Sequence, residues 1–345
     1  MNTLFYCNSA ACHFDKTPAA SIIFFEFFIF VGVLLSLYFL SKIEKRILLK
    51  FLTVAVGIFI FESFTHPLWV NAHLGSWAYM YRDVSWVLTI GWTALVLVPV
   101  SVIDKFYGRL EEWKRFIMYL FSITFLGVLG ETAVVNLGIR SYAPETIELI
   151  SGRYISLLNI PWDALYYTPV FMALVVGFYK YWELVINKDL VAPVKKVKWL
   201  KTLLITALGV LLFEIMIEPM VINAGLPSWS YIYRDVSFLM TGGWILIIWL
   251  AVILVNKVFI QFNLVEKFLG YIAVATIITM PIESWLIVSG IRQYGPSATG
   301  NFSGYHIPLT NVPVEIAFAI PFYLALIIAF VSYWVFQFNR KKQIS

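Results

Sequence analysis

The sequence predicts an all-α polytopic membrane protein, a helical bundle of nine transmembrane helices. It reads as a parallel tandem repeat of four spans at an offset of 152 residues, preceded by one extra span, with the N-terminus outside and the C-terminus inside. Three observations carry this. First, 61% of the 345 residues are hydrophobic and 13% are charged, whereas a soluble domain carries about 25% charged residues. Second, apolar stretches of the ~20 residues needed to cross a bilayer recur along the whole chain. Third, the segment from Phe61 to Trp92 recurs from Phe213 to Trp244, identical at 17 of 32 positions.

Residues 1–20 form a polar outer segment. It lacks the basic stretch and apolar run of a cleavable signal, so the first span, 21–41, serves as its own insertion signal. Cys7 and Cys12 lie in this segment. On the outer side they pair locally or stay as thiols; two cysteines build neither a disulfide framework nor a four-ligand zinc site.

Repeat 1 covers 42–185, with spans near 49–68, 83–103, 115–136 and 161–183. A cytoplasmic linker, 186–198, leads to repeat 2 at 199–338, with spans near 199–221, 235–258, 267–288 and 313–336. A tail, 339–345, ends the chain. The offset continues without a gap through Glu131 and Glu283, Gly138 and Gly290, Arg140 and Arg292, Tyr142 and Tyr294, Pro144 and Pro296, Pro161 and Pro313, and Asp163 and Glu315. An even number of spans per repeat leaves both copies in one orientation, unlike the inverted repeats of many transporters.

Charge sets the orientation. Nineteen of the 25 Lys and Arg fall in the turns near 42–50, 104–115, 180–201 and 256–267 and in the tail from Arg340. The positive-inside rule makes these cytoplasmic. A cell or plasma membrane is the expected location. The net charge of +5 is spent on these turns, so no nucleic-acid partner is expected.

Acids gather on the other side: 13 of 20 lie in the outer half, one near the outer end of every span (Glu26, Glu62, Asp83, Glu131, Asp163, Glu214, Asp235, Glu283 and Glu315). Carboxylates inside a span are costly and usually face the bundle interior at a functional site. Arg82, Arg234, Arg140 and Arg292 accompany them, which predicts a polar outer-leaflet chamber roofed by Arg. Asp83 and Asp235, in the repeated YRDVS, suit helix N-caps, and Pro161 and Pro313 suit the first turn of a helix. Glu62, Glu131, Glu214 and Glu283 sit at span ends where the helix dipole opposes them, so function or a buried ion pair must compensate. Glu62 has His66 at i+4 where Glu214 has Glu218, the one asymmetric pair. No Glu-x-x-His spacing of a carboxylate metal site is present, and no metal is expected. Trp77 and Trp229, with the neighbouring tyrosines, suit either an interfacial belt or the lining of a site for a flat apolar or cationic species.

Two stretches, NIPWDALYYTPVF and NVPVEIAFAIPFY, each follow a span ending in an acid and a loop with Gly and an aromatic. Together with THPLWVNAHLGSWAY they resemble the small membrane domains of the lycopene cyclase family. Membrane carotenoid hydratases share a comparable Glu, Gly, Tyr and Gly-Val-Pro arrangement. The resemblance implies non-redox acid–base chemistry on a lipophilic isoprenoid, with no cofactor. A neutral acid protonates an alkene, aromatic faces tolerate the cation, and a base removes a proton or activates water. On this reading Glu131, Glu283, Asp163 and Glu315 are the machinery, and Glu62, His66, Glu214 and Glu218 form a second cluster. Arg140, Arg292, Arg82, Arg234, Asn71, Asn223, Trp77, Trp229, Tyr142 and Tyr294 surround the substrate. The partners expected are membrane lipids and that lipophilic substrate. Two other classes stay open: a transporter that couples ions through the repeated acids, with Pro169 and Pro321 breaking the fifth and ninth spans, and a non-catalytic assembly subunit whose chamber is fully ion-paired.

Overall fold

The computed structural model describes residues 15–143, 146–147, 152–190 and 198–340. Cys7, Cys12, His13, Pro144, the middle of the expected cytoplasmic linker and the tail beyond Arg340 lie outside the described residues.

Among the described residues, nine helices are long and apolar enough to cross a membrane. They are α1 (Ala20–Ser41), α2 (Ile47–Thr65), α3 (Trp86–Tyr107), α4 (Glu112–Asn136), α5 (Ala164–Ile186), α6 (Trp199–Ile217), α7 (Phe238–Val258), α8 (Leu264–Val288) and α9 (Val314–Arg340). An apolar run of this length folds as helix because hydrocarbon offers no partners for the backbone, so each N–H and C=O must be satisfied within the segment. Pro169 and Pro321 do not break α5 or α9, which run on through them.

The helices are not the whole fold. Among the described residues, ten strands of two or three residues pair into five two-stranded ribbons, all in the connections after α2, α4, α6 and α8. After α2 come β1 (Trp69–Asn71), β2 (Tyr79–Tyr81) and β3 (Val84–Ser85). After α4 come β4 (Arg140–Tyr142), β5 (Tyr154–Ile155) and β6 (Ile160–Pro161). The second set is β7 (Val221–Asn223), β8 (Tyr231–Tyr233) and β9 (Val236–Ser237) after α6, and β10 (Arg292–Tyr294) after α8. Elements this short carry no readable alternation, so the all-α expectation omits them.

These ribbons correct two expected caps. Arg82 and Arg234 adopt left-handed backbone, φ 50° and 46°, and turn β2 into β3 and β8 into β9. The Asp that follows each Arg therefore stays in the turn, and the helix starts three residues later. Ser85 and Ser237 cap α3 and α7 instead, each Oγ accepting from the backbone N–H three residues on, Leu88 and Met240. Pro161 likewise belongs to β6, and Pro313 pairs with His306 in a bridge one residue before α9.

The chain divides into two compact units, 1–173 and 174–345, with the boundary inside α5. In the first, α3 packs against α1, α2 and α4. In the second, α6, α7, α8 and α9 close a ring of four, each packed on the next. Phe213 of α6 stacks on Tyr323 of α9, ring centroids 4.0 Å apart.

Candidate functional site

Each unit holds a buried polar cluster where two helix ends meet a ribbon. In the first unit α4 ends at Asn136, and Gly138 takes a left-handed φ of 74°. The N–H groups of Gly138 and Ile139 then bond to the carbonyls of Val135 and Val134, a glycine-terminated helix end that folds the chain back along α4. β4 therefore returns past the last turns of α4 and pairs antiparallel with β1, Asn71 opposite Arg140 and Trp69 opposite Tyr142. Arg140 Nη1 reaches Glu131 Oε2 at 2.8 Å, and Arg140 Nε donates to Asn71 Oδ1 at 2.9 Å. The Tyr142 hydroxyl donates to Glu131 Oε1 at 2.5 Å. The Arg140 guanidinium also lies over the Trp69 ring, 4.9 Å from its centroid.

Asn71 ties this return to the hairpin. Its amide Nδ2 donates to the Asp83 carbonyl and its backbone N–H to Asp83 Oδ2, both at 3.1 Å. Asp83 is buried, and burial pushes its carboxyl up to about 6, against the pull of the Asn71 N–H, Arg140 and Arg82. Burial tends to lower Arg140, but Glu131, Tyr142 and Glu62 outweigh it and hold the guanidinium above its ordinary value. Burial, then Glu131, raises Tyr142, so it remains the donor to that carboxylate.

The second unit repeats the arrangement with its own wiring. Gly290 has φ 74°, and β10 pairs with β7, Asn223 opposite Arg292. Here Arg292 Nε reaches Glu283 Oε1 at 3.1 Å and Nη1 reaches Asn223 Oδ1 at 2.5 Å, the two nitrogens exchanging roles relative to Arg140. Tyr294 donates to Glu283 Oε1 at 2.5 Å, and burial together with Glu283 raises it well above its ordinary value. Asn223 Nδ2 donates to the Asp235 carbonyl at 2.8 Å.

Beside each ion pair stands a second glutamate. Glu62 is buried on α2, and its Oε2 contacts the Thr89 hydroxyl of α3; Glu214 meets Thr241 in the same way. Each threonine oxygen also lies 2.9 Å from a carbonyl one turn back, Ser85 or Ser237. A hydroxyl has one proton and two lone pairs. Each threonine therefore donates either to its glutamate or to that carbonyl. Arg140 and Arg292 face these glutamates through space as well as their own partners. Each buried arginine thus serves two buried glutamates.

The other expected site residues distribute unevenly. His66 is buried with Nδ1 3.6 Å from Asp83 Oδ1, too far for a hydrogen bond, and neither atom has a hydrogen-bond partner. Its counterpart Glu218 lies 3.5 Å from Arg234. Arg82 and Arg234 lie over the Tyr81 and Tyr233 rings at the hairpin tips. Trp77 and Trp229 are 56% and 69% exposed, outside the buried clusters. Asp163 is buried at the start of α5, its carbonyl accepting from the Tyr166 and Tyr167 N–H groups. Glu315, in the first turn of α9, accepts the Ser303 N–H at 2.6 Å and so anchors the loop before it. Thr89 and Thr241 are the site residues that sequence reading misses, although they are among the 17 identities of the repeat. Among the described residues no group of three His, Cys, Asp or Glu gathers as a metal site.

By length and composition the nine helices fit a multi-pass integral membrane protein, with buried carboxylate–arginine clusters where helix ends meet the connecting ribbons. Compared with protein-family models, curated proteins and solved structures, the chain matches none.

Proposed function

We propose that the protein is a membrane enzyme that acts on a lipophilic, isoprenoid-like substrate by non-redox acid–base chemistry of the cyclase or hydratase type. The reading takes the chain as two parallel four-span repeats after α1, N-terminus outside, in a cell or plasma membrane, with the clusters in the outer leaflet. One observation carries it: a buried glutamate held by a threonine hydroxyl in each unit, beside a glutamate already paired with arginine. Neutral acid and ionised carboxylate are the two states such chemistry requires.

Glu62 and Glu214 supply the acid. The arginine pairing fits Glu131 and Glu283 to the ionised role, stabilising positive charge or accepting a proton, rather than to proton donation. The proton from Glu62 or Glu214 forms a C–H bond with the π pair of an alkene and leaves a tertiary cation. A neighbouring alkene then closes a C–C bond and a proton leaves to a carboxylate, or water adds and loses its proton. In either case the proton count returns to its start, and no redox cofactor takes part.

The test is expression in cells that accumulate a linear carotenoid or another acyclic isoprenoid, with chromatography of the extract. A new product is expected, and it should be lost in Glu62→Gln and Glu214→Gln protein that still inserts in the membrane. An unchanged profile across several acyclic substrates would refute the enzyme reading. Loss of pH-dependent uptake into proteoliposomes in the same variants would replace it with proton-coupled transport.

A further inference from the structure

The two clusters differ most at one place. At an offset of 152, His66 and Asp83 of the first unit become Glu218 and Asp235 of the second. Glu218 turns to Arg234, and Asp235 is half-buried. In the first unit both side chains are buried. His66 Nδ1 and Asp83 Oδ1 face each other, neither with a hydrogen-bond partner among the described residues. Their 3.6 Å separation is only about 0.5 Å beyond an ordinary N–H···O bond. Buried polar atoms left unpaired are unfavourable, so a small closing movement favours both.

A carboxylate only accepts, whereas a neutral imidazole donates from one nitrogen and accepts at the other. The contact closes when Nδ1 carries the hydrogen, which leaves the lone pair on Nε2. Asp83 is placed to be that acceptor. The Asn71 N–H holds its Oδ2, and its value of about 6 leaves it ionised at neutral pH. Arg140, Arg82, Glu62 and Tyr79 face it through space, and Arg82 faces His66 as well.

His66 also stands between Glu62 and water. It ends α2, its N–H bonded to the Glu62 carbonyl, so the two side chains lie one turn apart on one face. The ring meets Tyr81 edge to face, centroids 6.2 Å apart, and Tyr81 is 39% exposed at the hairpin.

We infer that His66 and Asp83 form a proton relay, in which Asp83 holds the ring with its hydrogen on Nδ1 and Nε2 carries protons between water at the hairpin and Glu62. To recharge Glu62, Nε2 takes a proton from hydronium and leaves water. That N–H bond then breaks as the proton passes to the Glu62 carboxylate, an O–H bond forms, and the lone pair returns to Nε2. Asp83 is the positioning residue. Glu214 has no such relay, because Glu218 and Arg234 stand in its place. The relay rests on the acid role proposed for Glu62.

Infrared spectroscopy of the protein in lipid bilayers, mixed rapidly into deuterated water, tests it. The protonated carboxyl bands of Glu62 and Glu214 are those lost in Glu62→Gln and Glu214→Gln protein. The Glu62 band should exchange first, and His66→Gln should slow it by at least about tenfold while Glu214 keeps its rate. In Asp83→Asn the amide oxygen stays with the Asn71 N–H, so the NH2 group faces Nδ1 and the ring hydrogen moves to Nε2; exchange should slow likewise. Added imidazole should restore the rate in His66→Ala, which a merely structural ring would not allow. His73→Gln, at the exposed pair with Asp15, should change nothing. The inference is overturned if the Glu62 rate is indifferent to His66, if both glutamates slow together, or if Glu62→Gln removes no protonated band. Fast, His66-dependent exchange in a protein that makes no product from any acyclic isoprenoid would keep the relay and remove the enzyme reading alone.

Discussion

Arg140 shows how much of each cluster depends on one side chain. It bonds Glu131 and Asn71, covers Trp69 and faces Glu62. Removing one partner of a buried ion pair leaves an uncompensated charge, at a cost of about 3–5 kcal/mol, whereas replacing both is often neutral. Arg140→Leu should therefore lower stability by that amount in unfolding experiments, and Arg140→Leu with Glu131→Leu should recover most of it. If the double variant is as unstable as the single one, the pair is not what Arg140 contributes. Asp83 adds a pH dependence. Its folded value of about 6 lies above the ordinary 3.8, so the folded state holds its proton more tightly than the unfolded chain. That contribution is full below about pH 4 and is lost as pH rises to about 6. Measured against Asp83→Asn, the thermal midpoint of the parent should fall between pH 4 and 6 and then level off. A difference that stays flat over this interval would show that Asp83 does not titrate there.

At the scale of elements, the turns after α4 and α8 decide whether a cluster forms, because they return Arg140 and Arg292 to carboxylates nine residues earlier. Gly138 has positive φ and open space around a Cβ position, so the penalty of Gly138→Ala is backbone strain alone, about 1–2 kcal/mol. Gly32 makes the control. It lies inside α1 with equal space, and Ala there should raise stability by roughly 0.5–1 kcal/mol. Opposite signs in thermal unfolding are expected; equal signs would mean that the left-handed turn is not the constraint. The helix interiors were the legible part of each element, since a long apolar run has one solution in hydrocarbon. Their starts were less so: Ser85 displaces Asp83 as the cap because Arg82 turns the chain first, and that depends on pairing between β2 and β3, strands too short to leave a pattern.

At the scale of the molecule, the number and order of long apolar helices follow from composition along the chain, and the list of acids worth inspecting follows from their rarity. Both were readable because burying a charge is so unfavourable that each surviving acid needs a reason. What the list could not show was how the acids sort. Glu62 and Glu131 look alike in sequence, each an acid near the end of an apolar run. Glu131 gains an arginine because Gly138 folds the chain back onto α4, whereas Glu62 gains a threonine 27 residues away because α2 packs on α3. Hydropathy is a property of neighbours along the chain, and the helices follow from it. Pairing is a property of neighbours in space, so the packing of the helices and ribbons settles which carboxylate meets an arginine and which is held by a hydroxyl.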